Sequence, residues 1–255
     1  MDPATLIGLG LAFLVIVTAN ILEGGHPASL LMLPPMLLVF GGTIAVCLAG
    51  GTLRDFKASV LALKRAFTAK IRPASDVIPT VVSLADRARR EGLLSLEDAI
   101  GELDDPFMVR GVTLAVDGTD PDELRDILES EVAAKRADDK QSAKFFTDAG
   151  GYAPTIGIVG TVMSLVHVLE NLAKPDELGH MIAAAFLATL WGVLSANAIW
   201  LPIAAKLKRV SELECARMEM VIEGVAAIQA GSNPRIVALK LRSLLPADQA
   251  ETVAA

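Results

Sequence analysis

Two stripes of small and hydroxyl-bearing residues and one charged segment carry the chemistry available to this sequence. Gly157, Thr161 and Ser164 recur at helical spacing, and Ala185, Thr189, Gly192 and Ala196 do the same farther along the chain. Small faces let two helices approach closely. Threonine hydroxyls are also oxygen donors of the kind that hard cations prefer. The residues alone leave both uses open: ordinary helix packing, or packing together with ligation or relay of a passing ion. His167, three residues past Ser164, is either a proton relay or a partly hydrated residue near a membrane surface.

The charged segment is "ADRARREGLLSLEDAI", Ala85 to Ile100. Apolar Ile78, Val81, Val82 and Ala85 lead into a helix expected to end at Gly92. Ser95 followed by Asp98 resembles a variant capping box opening the next helix. Arg89 and Arg90 would then lie in a last turn, and Glu97 and Asp98 in a first turn. Each such charge gains about 0.3 to 1 kcal/mol from the helix macrodipole. Dipole and cap chemistry therefore accounts for the pattern without a functional role, and a charged docking surface is the alternative.

Other chemistry is missing. The three histidines, His26, His167 and His180, are scattered, and no His/Cys/Asp constellation suggests an enzyme or a metal centre. Cys47 lies in an apolar run and Cys215 in a charged helical run, which fits packing and neither a disulfide framework nor metal-ligand spacing. A net charge of −7 without a basic aromatic patch argues against nucleic acid.

The elements that must position these residues follow from composition. Hydrophobic residues make up 53% and charged residues 21% of the chain, with a mean hydropathy of +0.50. The two kinds must be segregated, as in an integral membrane protein with a sizeable polar part. Four apolar runs stand out at residues 4–22, 30–51, 151–169 and 181–203. We expect each to cross about 30 Å of hydrocarbon at about 1.5 Å per residue. The amino terminus carries Asp2 and no Lys or Arg, so the first run is expected to be a retained span and not a cleaved signal.

Arg54, Lys57, Lys64, Arg65, Lys70 and Arg72 follow the second run, Lys140 and Lys144 precede the third, and Lys206, Lys208 and Arg209 follow the fourth. The positive-inside rule makes these ends cytoplasmic, and with four spans both termini are cytoplasmic. The opposite links are short and basic-poor: Glu23 to Ser29 has no Lys or Arg, and Glu170 to His180 has only Lys174. The expected organisation is residues 1–51 as spans one and two, 52–148 as a cytoplasmic helical domain, 149–203 as spans three and four, and 204–255 as cytoplasmic C-terminal helices. The fold class is all-α.

Both cytoplasmic stretches carry helix signals. "DDPFMVRGVTLAVDG" starts at Asp-Pro and ends at Gly118, and the next helix opens with Asp120 as cap and Pro121 in its first turn. In the tail, Val210, Leu213, Met218, Val221, Val225 and Ile228 fall near one face, Gly231 ends the run, and Asn233-Pro234 restarts it. The expectation is short amphipathic helices beside extended membrane helices.

None of the four apolar runs contains Asp, Glu, Lys or Arg. A carboxylate at the bilayer centre costs roughly 2.5 to 3.5 kcal/mol on insertion scales, so intramembrane ion carriers normally stand out. A chain without one can line an ion path but cannot carry a cation on its own carboxylate. The absence of an intramembrane charge or a broken-helix repeat likewise argues against a self-contained transporter.

Several segments resemble the MotA/PomA stator family. "RREGLLSLE", Arg89 to Glu97, is similar to that family's Arg-x-x-Gly-x-x-x-Leu-Glu signature. Also similar are the opening "MDPATLIGLGLAF", the "GGT" at Gly41 to Thr43, "GGYAPTIGIVGTV", "LATLWGVLSANAIWLPIAAKL" and "AIQAGSNPR", in the same order along nearly the whole chain.

The resemblance implies a homopentamer surrounding two copies of a MotB/PomB-type single-span, peptidoglycan-binding subunit, whose helix brings the ion-binding aspartate. It implies a place in the bacterial inner membrane among its lipids, and torque on the rotor protein FliG through Arg89 and Glu97. Arg90 and Asp98 adjoin these two in sequence, and from that position, not from the resemblance, we expect them to share the surface. The family's two channel prolines fall on Pro154 and Pro202. They are either prolines tolerated near a helix end or part of pre-bent helices that couple ion binding to motion. The ion path would comprise Thr161, Thr189, Gly157, Ser164 and Ala185. No cofactor is expected, and the transported ion is Na+ or H+. Sodium-driven members resemble this chain in having threonine at the positions of Thr161 and Thr189, whereas enterobacterial proton-driven relatives have alanine at the first. Competing readings are a TolQ/ExbB-like energiser, which would show three spans, an outward amino terminus and no Arg-to-Glu signature, and a Zorya-like defence motor sharing the four-span core.

Overall fold

The computed structural model describes residues 4–246. Asp2, the first three residues of the opening motif and the end of the C-terminal segment lie outside the described residues. Within them the chain is helical, and no strand occurs among the described residues.

The helices in chain order are α1 (Ala4–Leu22), α2 (Leu33–Met36), α3 (Gly42–Ala49), α4 (Leu53–Thr68), α5 (Val77–Glu91), α6 (Leu96–Ile100), α7 (Pro106–Val116), α8 (Pro121–Glu170), α9 (Pro175–Ser195), α10 (Leu201–Gln229) and α11 (Pro234–Arg242). A π-helical turn, Leu37–Gly41, joins α2 to α3, and a second, Ala196–Trp200, joins α9 to α10. Three helical stretches are long and apolar enough to cross a membrane: Ala4–Leu22, Pro121–Glu170 and the unbroken Pro175–Gln229.

Three expectations need correction. Residues 30–51 do not form one long helix: the apolar helix is the shorter Leu33–Ala49, preceded by a 3₁₀ turn at Pro27–Leu30. Pro27, Pro34 and Pro35 lack the N–H groups that would extend it toward the amino terminus. The separate helices expected before the third run and after the fourth are instead continuous with them, 50 residues for α8 and 55 for Pro175–Gln229. Finally, the link from Glu170 to His180 is mostly helix, because Pro175 opens α9 at its first position and leaves only a turn at 171–174.

The chain divides into two compact units. The described residues of the first are 4–70 and 139–209. Here α2 packs on α9, and Phe40 in the first π turn has its ring 5.8 Å from Trp191 and 6.3 Å from Trp200 in the second. The Trp191 indole N–H donates to the Leu30 carbonyl at 2.7 Å. A capping box between Thr52 and Asp55 opens α4. The inward side of α4 then packs along α8: Phe56 stacks edge-on against Phe145, and Arg65 pairs with Asp139 at 2.5 Å. Ala66, Ala143, Phe146, Ile203, Ala204 and Leu207 close a small core there. By contrast α1 has no buried residue, and Leu6, Leu11, Leu14 and Val15 are each more than half exposed. Such a surface is stable only against lipid or another protein.

The second unit comprises 71–138 and, as far as described, 210–246. Its core draws on Val81 and Leu84 of α5, Leu96 of α6, Val112 of α7, Leu124 and Leu128 of α8, Val221 and Val225 of α10, and Leu241 of α11. The tail stripe behaves as its spacing predicts: Val210, Val221, Val225 and Ile228 are buried, while Leu213 and Met218 are half-buried. The caps at Asp105, Asp120 and Asn233 form as expected, each side chain accepting a backbone N–H. Ion pairs tie the elements together, Arg217 to Asp105 at 2.5 Å and Glu223 to both Arg125 at 2.5 Å and Lys240 at 2.6 Å. The Arg125 guanidinium, with help from Lys240, holds the Glu223 carboxyl at a pKa of about 2 against the opposing effect of burial. Both cysteines are free and buried.

Candidate functional site: a hydroxyl-lined helix crossing and a charged corner

In the first unit the two small-residue stripes meet. A Cβ built on Gly157 would lie 2.7 Å from the Ala188 carbonyl and 3.1 Å from the Gly192 Cα, and one on Gly192 would lie 2.8 Å from the Ala153 carbonyl. Helices α8 and α9 therefore cross backbone on backbone, which only glycine permits at both positions. One turn along, the hydroxyls of Thr161 and Thr189 are 2.5 Å apart. Thr161 Oγ1 also lies 3.1 Å from the Gly157 carbonyl of its own helix and 3.0 Å from the Ala185 carbonyl of α9.

Hydrogen bookkeeping favours one direction for this contact. A hydroxyl has one proton and two lone pairs. Among the described residues the acceptors beside Thr161 other than Thr189 are the Gly157 and Ala185 carbonyls, which favours donation of its proton to them and donation from Thr189 to Thr161. One lone pair on Thr161 and both on Thr189 stay free. Both residues are half-buried, not sealed. The crossing can thus present hydroxyl and carbonyl oxygen to a small cation, and no carboxylate is present to bind it.

The other expected residues of this group fall nearby on the chain. Ala185 is buried and supplies its carbonyl, whereas Ser164 is half-buried and lines an open cavity of about 640 Å³. Gly160, Ala188, His167, Glu170 and His180 also line that cavity. His167 is exposed, with Nδ1 3.6 Å from a Glu170 carboxylate oxygen.

Neither proline sits at a helix end. Pro154 is internal to α8 at the crossing, its Cα 3.3 Å from where a Gly192 Cβ would be. Pro202 lies inside the Pro175–Gln229 stretch, directly after the π turn Ala196–Trp200. The reading of prolines tolerated near a helix end is therefore set aside. Each removes an i to i−4 hydrogen bond within a long helix, a common cause of bends.

The second unit holds the charged corner. Helix α5 ends at Glu91 and Gly92 adopts φ +89°, so Arg89 and Arg90 occupy the last turn as expected, while Glu97 and Asp98 open α6. The capping box does not form. Ser95 has helical backbone angles and its hydroxyl donates to the Gly92 carbonyl at 2.7 Å, closing the loop instead of capping α6. All four charged residues are exposed. Arg90 pairs with Asp86, and Asp98 with Arg87 at 3.3 Å. The side chains of Arg89 and Glu97 have no ion pair or hydrogen bond among the described residues. Arg87, which also lies 3.5 Å from Glu91, was missed from the sequence, although its four-residue spacing to Glu91 is a readable signal.

No metal-ligating group of three occurs among the described residues. Residues 99–220 match the MotA/TolQ/ExbB proton channel family. The chain is 38% identical to Motility protein A of Bacillus subtilis (strain 168), over 97% of its own length and 92% of that protein. It is 35% identical to the chemotaxis protein PomA of Vibrio alginolyticus, over 96% of both chains. Its fold superposes on a chain of the flagellar MotAB stator complex from Bacillus subtilis with a TM-score of 0.91 at 37% identity, covering 98% and 99% of the two chains.

Proposed function

The chain belongs to the motility protein A family of MotA/TolQ/ExbB proton channels and is a flagellar motor stator subunit, and from that premise we propose how it works. Together with a MotB/PomB-type single-span partner it couples inward flow of protons or sodium ions to torque on the rotor. The observation that carries this reading is the paired hydroxyls of Thr161 and Thr189, set beside a glycine crossing in apolar runs, 151–169 and 181–203, that contain no carboxylate.

In the proposed cycle the chain spans the inner membrane four times with both termini in the cytoplasm. Five copies form a ring around two copies of the partner, which is anchored to peptidoglycan. An ion from outside neutralises the partner's intramembrane aspartate against the face of Gly157, Thr161, Ser164, Ala185 and Thr189. Its release to the cytoplasm restores the charge, and the ring steps around the partner. Pro154 and Pro202 place flexible points on the two helices that must accommodate each step. One elementary charge falling through 100 mV yields about 2.3 kcal/mol, several times RT at about 0.6 kcal/mol, so one ion can bias one small step. The exposed, unpaired Arg89 and Glu97, with Arg90 and Asp98 beside them, engage the rotor protein FliG.

The free lone pairs of the two threonines favour sodium, a hard cation that takes oxygen ligands. The test is swimming speed in a motile host lacking its own stators and carrying this chain with its partner, in sodium buffer and with potassium in place of sodium. Swimming in sodium that collapses in potassium supports a sodium path through Thr161 and Thr189. Undiminished speed in potassium makes the unit proton-driven and the hydroxyls packing elements. No swimming in either buffer, with the complex present in the membrane, would overturn the stator reading.

A further inference from the structure

We propose that the rotor contact has an apolar centre, Leu94, set between the two unpaired charges; this rests on the rotor-docking reading of Arg89 and Glu97. The segment Gly92 to Leu96 contains three leucines, and the fold uses only two. Leu96 is fully buried, and Leu93 packs against the core of the second unit. Leu94 is 72% exposed, the highest value among the described large apolar residues of that unit, where Leu239 follows at 68% and Ile236 at 58%. A single exposed leucine is ordinary on a protein surface. This one is distinguished by its surroundings.

Positive φ at Gly92 turns the chain sharply after α5, and the Ser95 hydroxyl bond to the Gly92 carbonyl holds the loop. Leu94 is therefore presented on a fixed turn. Arg89 precedes it and Glu97 follows it, both exposed and unpaired, while Arg90 and Asp98 are satisfied by Asp86 and Arg87. Along the chain the exposed positions thus run from a free positive charge through an apolar knob to a free negative charge. Its complement is a partner face carrying an acidic residue, an apolar dimple and a basic residue.

Physical need points the same way. Exposed ion pairs contribute little and are screened beyond about 8 Å at physiological salt. A desolvated centre strengthens such a contact, with the charges as a rim that orients the partner and excludes water.

Photo-crosslinking in motile cells tests this directly, with benzoyl-phenylalanine at position 94, 89 or 97 of the full chain in its stator complex. We expect position 94 to give an adduct with the rotor protein. Leu94→Ala should halve the torque per stator or more, while Leu94→Met restores it, with stator assembly unchanged in both. Adducts with the rotor from 89 and 97 but not 94, or full torque in Leu94→Ala, would remove the apolar centre and leave the charged contact standing. An adduct from 94 to a second copy of this chain, or loss of assembly in Leu94→Ala, would move Leu94 to a subunit interface and overturn the proposal. Cells that swim with no rotor adduct from any of the three positions would overturn the docking reading itself.

Discussion

At the scale of single residues the two threonines and the two free charges make separable claims. Thr161→Val keeps the shape but leaves the Thr189 proton without its acceptor and takes from the Ala185 carbonyl the hydroxyl that supplements its helical N–H donor, a loss of about 1 kcal/mol that a membrane helix pair tolerates. The stator should still assemble, and in a sodium-driven unit the sodium concentration for half-maximal speed should rise several-fold. A speed curve matching the unchanged chain would reduce both hydroxyls to packing. Arg89→Glu should lower torque at unchanged stator number, since Arg89 has no side-chain partner among the described residues to leave unpaired; normal rotation against the native rotor would refute its docking role. Residue spacing made the threonine stripes and the Arg89 to Glu97 segment legible. It could not show that Thr161 reaches a carbonyl 24 positions away, nor that Ser95 bonds backward to Gly92, because both depend on backbone paths set by tertiary packing.

At the scale of helices the glycine crossing is the least forgiving feature. Gly157→Leu places side-chain atoms where the Ala188 carbonyl lies, and a backbone carbonyl held in a helix cannot move aside as a flexible side chain can. We expect this variant to fail to yield an intact complex on gel filtration in detergent, and an intact complex of native size would contradict the close crossing. Pro154→Ala restores the hydrogen bond that Pro154 denies to the Gly150 carbonyl within α8. Assembly should persist and speed should fall if the proline supplies the bend used in each step; unchanged speed under load would make it incidental. The start signals at Asp105, Asp120 and Asn233 were readable because caps are local chemistry. The continuity of α8 was not, since Gly150, Gly151 and Pro154 all signal a break and the pattern changes there from amphipathic to uniformly apolar.

At the scale of the whole molecule the chain consists of two units with different demands on their surroundings. The second depends on ion pairs that titrate. Glu223, with its pKa held at about 2 in place of 4.5, contributes stability that is complete above about pH 4.5 and is lost as pH falls toward 2, on the order of 2 kcal/mol. Acid titration of the purified complex in detergent should show this loss by circular dichroism, and Arg125→Leu should flatten it; an unchanged acid transition in that variant would mean the pair contributes nothing. The first unit depends on what surrounds its apolar helices, and the sequence conveyed this through segregation of apolar from charged residues. Its central limitation was also legible, in that none of the four apolar runs has a carboxylate and the cation carrier must come from outside the chain. The most direct test of that claim is cation uptake by cells or proteoliposomes containing this chain alone, the chain with its partner, and the chain with a partner whose intramembrane aspartate is changed to asparagine. The account predicts uptake only in the second case. Uptake by the chain alone, or by the asparagine complex at the same rate, would show that the ion needs no partner carboxylate and would contradict the account.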